Sequence, residues 1–278
     1  MEKIIKKYFN ESKYFSMKLE KYFDVYEVIL SKYKDQKNIT FVEIGVKDGG
    51  SLFIWQKLLP NAKIIGIDLN IECKKFEKDG FFIEIGDQNS KEFWNKFFDK
   101  YKNVDVIIDD GGHTNSQQIS TAVSCIPFIN DGGVLITEDV MCSYYHNFGN
   151  PNKYSFINFC KKIIDDINFK FPGIGKFKFS LNDYVHSIEF FESIVVFKIN
   201  RKLCGFNKMI INNKIEHKHE DLRYNFKRNN FLNSKIVVKI KTFLKKFTFF
   251  KNLNHFLYIF KIRKHNIKNS KKMKKYFK

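Results

Sequence analysis

The chain has 278 residues, 49 Lys+Arg against 30 Asp+Glu, which is enough for one large α/β domain with additions. Its 44% apolar and 17% aromatic composition excludes a disordered polyelectrolyte. The net charge of +19 is unevenly held: 21 basic and 3 acidic residues lie from Gly205 onward, leaving 28 against 27 in residues 1–204. The basic excess therefore belongs to a tail and is no argument for nucleic-acid binding by the whole protein. Cys73, Cys125, Cys142, Cys160 and Cys204 form no C-x-x-C pair, which suits a reducing cytosol. The start Met-Glu-Lys-Ile-Ile-Lys-Lys offers no apolar leader, and no window of about 18 apolar residues reads as a membrane span. These features point to a cytoplasmic protein.

In residues 3–34, Ile4, Ile5, Tyr8, Phe9, Phe15, Leu19, Phe23, Tyr26 and Leu30 recur at mostly helical spacing. This predicts one or two amphipathic helices, an N-terminal cover over residues 1–37. From residue 38 short β-rich runs alternate with helical stretches, the rhythm of a parallel sheet. Strands are predicted at 39–44, 63–67, 81–85, 104–108 and 133–137, with helices near 51–59, 72–79, 90–101 and 115–128. Two closely spaced strands, 185–190 and 193–199, predict an antiparallel hairpin. The α/β domain, a Rossmann-like sheet with an antiparallel edge, is thus expected over 38–204.

The tail, 205–278, breaks this rhythm. Ile236, Ile240, Phe243, Phe247, Phe250, Leu253, Leu257 and Phe260 are spaced by three or four, so they share one helical face opposite several lysines. Residues 261–278 form a basic run that need not fold. Three readings of this tail stand open: attachment to an anionic membrane surface such as the inner membrane face, phosphate contacts with nucleic acid, or packing on the body or a partner subunit. The apolar faces of the N-terminal helices and the tail also predict a homo-oligomer.

The first strand leads into Glu43-Ile44-Gly45-Val46-Lys47-Asp48-Gly49-Gly50-Ser51, a turn whose glycines permit close approach of backbone to a ligand. It is not a G-x-G-x-x-G turn, and no P-loop pattern occurs. Asp68 and Asp87 end the second and third strands, and Asp109 ends the fourth. Strand ends of this kind lie on the ligand-binding edge of an open sheet, where Asp68 could accept the hydroxyls of a ribose. The candidate cofactor-binding residues are Glu43, Gly45, Gly49, Ser51, Asp68, Asp87 and Asp109. Acids flanking the turn favour an adenosine that bears a cation over a pyrophosphate. At this point the sequence resembles the class I S-adenosylmethionine-dependent methyltransferases, and the resemblance implies a seven-stranded sheet with a reversed final hairpin.

Asp109, Asp110 and His113 follow the fourth strand, and Glu138 and Asp139 the fifth. Carboxylates gathered this closely repel unless neutralised, and a hard divalent cation, Mg²⁺, Ca²⁺ or Mn²⁺, would do so. Helix capping is the alternative for Asp109 and Asp139. His113 has the chemistry of a general base. The run Asp110-Gly-Gly-His113, followed by Glu138-Asp139 and Ser143-Tyr144-Tyr145, resembles the metal-dependent sugar O-methyltransferases of macrolide and rhamnosyl-tetracenomycin tailoring. That resemblance implies Asp110, Glu138 and Asp139 as ligands of magnesium or manganese, His113 as base, and a sugar hydroxyl as acceptor, on a nucleotide-linked or surface-polysaccharide sugar. Gly112 departs from the usual serine, removing a side-chain hydrogen bond from the turn. Tyr144, Tyr145, His146, Phe148 and Tyr154 read either as a sugar-stacking lid or as packing over the sheet edge. Two rival functions are an NAD-dependent sugar oxidoreductase, which lacks its Tyr-x-x-x-Lys base here, and a non-catalytic membrane- or polyanion-binding module.

Overall fold

The computed structural model describes residues 4–148, 153–168, 180–212, 214–215 and 248–277. Strands β1 (Thr40–Ile44), β2 (Lys63–Asp68), β3 (Phe82–Ile85), β4 (Val104–Asp109), β5 (Ile129–Thr137), β6 (Val185–Phe191) and β7 (Ile194–Ile199) form one sheet. Its order is β3-β2-β1-β4-β5-β7-β6; the first five strands run parallel and β7 pairs antiparallel with both neighbours. The predicted seven-stranded sheet and closing hairpin are therefore present. The order reverses between β1 and β4, and ligands of open α/β sheets bind beyond the strand ends at such a point.

The inner strands are Val/Ile-rich because both faces are covered. On one face lie α1 (Ile4–Asn10), α2 (Tyr22–Leu30) and α3 (Gly50–Leu58), with the Tyr26 ring edge-on to Trp55 at 5.1 Å. The other face packs α4 (Lys91–Lys100), α5 (Asn115–Cys125) and α6 (Phe156–Asn168) through Trp94, Phe98, Cys125 and Phe156. Ser90 caps α4 by accepting from Phe93 N–H, and Thr114 with Gln117 forms a capping box on α5. Those caps fix where the two helices begin, just after the strand ends that carry the acidic residues. All five cysteines are buried, and none is in a disulfide.

One expectation needs correction. Residues 11–21 form no helix; Phe15 and Leu19 are exposed rather than core-facing, because this segment crosses the sheet edge as an irregular strap held by Ser12 Oγ donating to Gly50 O at 2.7 Å. The chain divides into two compact units at Met209/Ile210, close to the boundary expected after residue 204. In the second unit α7 (Thr248–Met273) runs on into the basic run that need not fold, with a 3-10 turn at Lys274–Phe277. Of the amphipathic stretch expected from Ile236 to Phe260, residues 236–247 lie outside the described residues and residues 248–260 are helical. Among the described residues, no helix is long and apolar enough to cross a membrane.

Candidate active site

Beyond the ends of β1, β2 and β4 lies a cavity of about 460 Å³ lined by, among others, Gly45, Ser51, Asp68, Asp110, His113 and Asp139. Gly45 sits at φ +93°, and a Cβ there would meet Asp110 O at 2.1 Å. The glycine is what lets the first turn press against the fourth. Asp68 holds this turn in place: Oδ2 accepts from the N–H groups of Val46 and Lys47, both at 2.9 Å, and Oδ1 from Asn70 N–H at 2.8 Å. Three acceptor positions are thereby used, which leaves this carboxylate little capacity for a ribose.

Four expected cofactor residues do not line the cavity. Glu43 is fully buried beneath it, with Ser51 Oγ donating to Oε2 at 2.8 Å. Burial pushes its carboxyl up to about 7, with Lys18 opposing the shift. Gly49 packs against Phe76. Asp87 faces solvent and accepts from Asn89 N–H, whereas the next residue, Gln88, turns inward. Asp109 is buried and accepts from Gln88 Nε2 at 2.9 Å; burial raises its pKa.

The acidic cluster does converge. One donor atom from each of Asp110, His113 and Asp139 lies within 4.8 Å of the other two, with His113 Nε2 3.4 Å from Asp139 Oδ2 and 3.9 Å from Asp110 Oδ1. His113 and Asp139 both adopt left-handed backbone, φ 58° and 53°, a strain of the kind concentrated at functional sites. His113 Nδ1 is buried without a hydrogen-bond partner. Two carboxylates and an imidazole are a donor set that suits a divalent cation, so these residues fit one.

Glu138 stands apart from that trio. Its carboxylate is buried, accepts from Tyr26 O–H at 2.5 Å, and is gripped by Lys18 Nζ at 2.8 and 3.1 Å. The same ammonium reaches Asp110 Oδ2 at 2.6 Å and Glu43 Oε1 at 4.0 Å. Burial opposes its charge, but Asp110, Glu138 and Glu43 together outweigh that and hold its pKa above the ordinary value. Burial, with repulsion from Asp110, raises Glu138 to about 8. Asp139 is bonded by Tyr22 O–H at 2.6 Å.

Lys18, Tyr22, Tyr26, Gln88 and Gln117 were not foreseen from the sequence. Gln117 answers the departure at Gly112: a Cβ there would meet the Gln117 amide at 2.1 Å, so glutamine fills the space a serine side chain would take. Of the aromatic segment, Tyr144, Tyr145 and Tyr154 are exposed, and the Phe148 ring lies 6.5 Å from that of His113.

No known family model matches the chain. Among curated proteins it is similar to mycinamicin VI 2''-O-methyltransferase of Micromonospora griseorubida, 30% identical over 151 residues, 49% of this chain and 37% of that protein. It is also similar to 8-demethyl-8-alpha-L-rhamnosyl tetracenomycin-C 2'-O-methyltransferase of Streptomyces olivaceus, 25% identical over 157 residues, 53% of this chain and 41% of that one. The chain thus spans less than half the length of either relative. Among solved structures, the MycE methyltransferase of the mycinamycin pathway, in complex with Mg and SAH, aligns with a TM-score of 0.64 at 22% identity, over 76% of this chain and 57% of that one. The fold is that of a class I S-adenosylmethionine-dependent methyltransferase. In a sheet of this order, the cavity beyond β1, β2 and β4 occupies the crevice at the reversal of strand order.

Proposed function

We propose that this chain transfers a methyl group from S-adenosylmethionine to a sugar hydroxyl, with a divalent cation at the acidic cluster and His113 as general base. The observation that carries the reading is one cavity lined both by the Gly45–Ser51 turn with Asp68 and by Asp110, His113 and Asp139. The names of the relatives, a mycinamicin VI 2''-O-methyltransferase and a rhamnosyl tetracenomycin-C 2'-O-methyltransferase, support a sugar acceptor; a nucleotide-linked or polysaccharide sugar is the class proposed, handled in the cytoplasm.

Asp110 and Asp139 would hold the cation, with Glu138 as the third carboxylate of the proposed set. When bound, the ion supplies positive charge that acidifies a hydroxyl and fixes its orientation. His113 takes the hydroxyl proton at Nε2 while Asp139, 3.4 Å away, stabilises the imidazolium that results. Bound S-adenosylmethionine would supply the methyl carbon, which passes to the deprotonated acceptor oxygen as the carbon–sulfur bond breaks and S-adenosylhomocysteine leaves. A second reading, His113 as a ligand, is favoured by its place in the convergent trio; His113→Ala separates them, since loss of a base slows turnover at unchanged metal affinity.

Calorimetry with S-adenosylmethionine and with NAD, each with and without Mg²⁺, tests the cofactor. Mass spectrometry of nucleotide sugars incubated with enzyme tests the acceptor. Binding of S-adenosylmethionine and a product heavier by one methylene are expected; binding of NAD alone would overturn the proposal.

A further inference from the structure

We propose that Lys18 is a tethered counter-ion that holds the place of a divalent cation between Asp110 and Glu138 and gives way when that cation binds. The inference rests on the methyltransferase reading above and adds a control on its metal site.

Lys18 Nζ contacts Asp110 Oδ2 at 2.6 Å and both oxygens of Glu138 at 2.8 and 3.1 Å. An ion bonded to both carboxylates, at roughly 2.0–2.6 Å from their oxygens, needs the space the ammonium fills. The two cations are therefore alternatives at this position. Asp110 is shared between them, because its Oδ2 faces Lys18 while Oδ1 lies toward His113.

The strap that carries Lys18 is built to let go. The Lys18 side chain is 3% exposed, yet Phe15, Met17 and Leu19 are 65%, 73% and 48% exposed. The strap is anchored at Tyr14, whose ring packs on Phe53 and Phe76, both at 5.2 Å, but the exposed side chains around Lys18 leave residues 15–19 with few apolar contacts, the signature of a stretch that opens locally at low cost. Phe15, Ser16 and Met17 also line the cavity beside the glycine turn, so withdrawal of Lys18 moves a wall shared with the proposed cofactor space.

A docked ammonium lowers apparent metal affinity by the fraction of molecules in which it has left. Lys18→Met in the full chain is accordingly expected to tighten Mn²⁺ binding about tenfold or more, read by the loss of free-Mn²⁺ paramagnetic resonance signal. Unchanged or weaker binding overturns the proposal. Because the variant leaves two buried carboxylates facing each other, it can fail to fold without metal, so a second measurement uses the unaltered protein. Acylation of the Lys18 amine by acetic anhydride, hindered while the side chain is 3% exposed, should increase on saturation with Mn²⁺, and labelling that stays the same or falls overturns the proposal. Calorimetry with S-adenosylmethionine on the same samples keeps the two readings distinguishable. Cofactor binding with no response of Lys18 sinks this inference alone; absence of both cofactor and Mn²⁺ binding sinks the methyltransferase function and this inference with it.

Discussion

Gln88 joins Asp109 to the turn that carries the acidic cluster: its Nε2 donates to Asp109 Oδ1 at 2.9 Å while its Oε1 accepts from Gly112 N–H at 2.9 Å. A third bond, from Nε2 to Thr121 Oγ1 at 3.0 Å, ties both to α5. Gln88→Ala removes the partners of a buried carboxylate and of a turn amide, at a cost of about 2–3 kcal/mol. A urea midpoint lowered without change in slope is the expected result, together with weaker cofactor binding as the 110–113 turn loosens.

Gly45 and Gly80 share nearly the same backbone, φ +93° and +92°, in opposite surroundings. Nothing lies within 4 Å of a Cβ at Gly80, so Gly80→Ala carries only left-handed strain, about 1–2 kcal/mol. Gly45→Ala adds a collision with the Asp110 carbonyl and forces the β1 and β4 turns apart. Thermal melts should show the larger loss for Gly45→Ala, and calorimetry should show lost cofactor affinity for that variant only.

Gly112→Ser restores the residue usual in the resembled family but collides with the Gln117 amide. Thr114 N–H and O–H both donate to that same amide oxygen, at 3.2 and 2.6 Å, so pushing it aside breaks the cap on α5. The single variant is expected to lose stability, and Gly112→Ser with Gln117→Ala to lose less than the two single effects summed. A double-mutant cycle by chemical denaturation measures that coupling.

Asp110→Asn and Glu138→Gln are expected to abolish methyl transfer with S-adenosylmethionine affinity little changed, and a chelator to do the same reversibly. His113→Ala should slow turnover by roughly 10²–10⁴ through loss of the base. Full activity of the His113 variant across pH would remove histidine from that role.

The sheet was legible because each strand is a β-branched run bounded by turn residues, and the acidic cluster because parallel strands bring their C-terminal ends together. The sequence could not resolve which way a side chain points one or two residues past a strand end. Asp87 and Gln88 are adjacent, yet the acid faces water and the amide faces the cluster. Lys18 was invisible for a different reason. It is one of 49 basic residues, and its position follows from a strap whose apolar residues carry helical spacing but whose backbone is not helical. The acids predicted its sign, since repelling carboxylates require a cation, but not that the chain supplies one itself.

The burial of every cysteine gives the native protein a quiet thiol chemistry. Burial also raises the pKa of Cys125 and Cys160, so little thiolate is present to react. Because Cys73, Cys125 and Cys160 are packed into the two apolar layers, an aromatic disulfide reagent can reach these three only as the layers part. The colour it releases is then a clock for unfolding that needs no substrate, no cofactor and no knowledge of the acceptor.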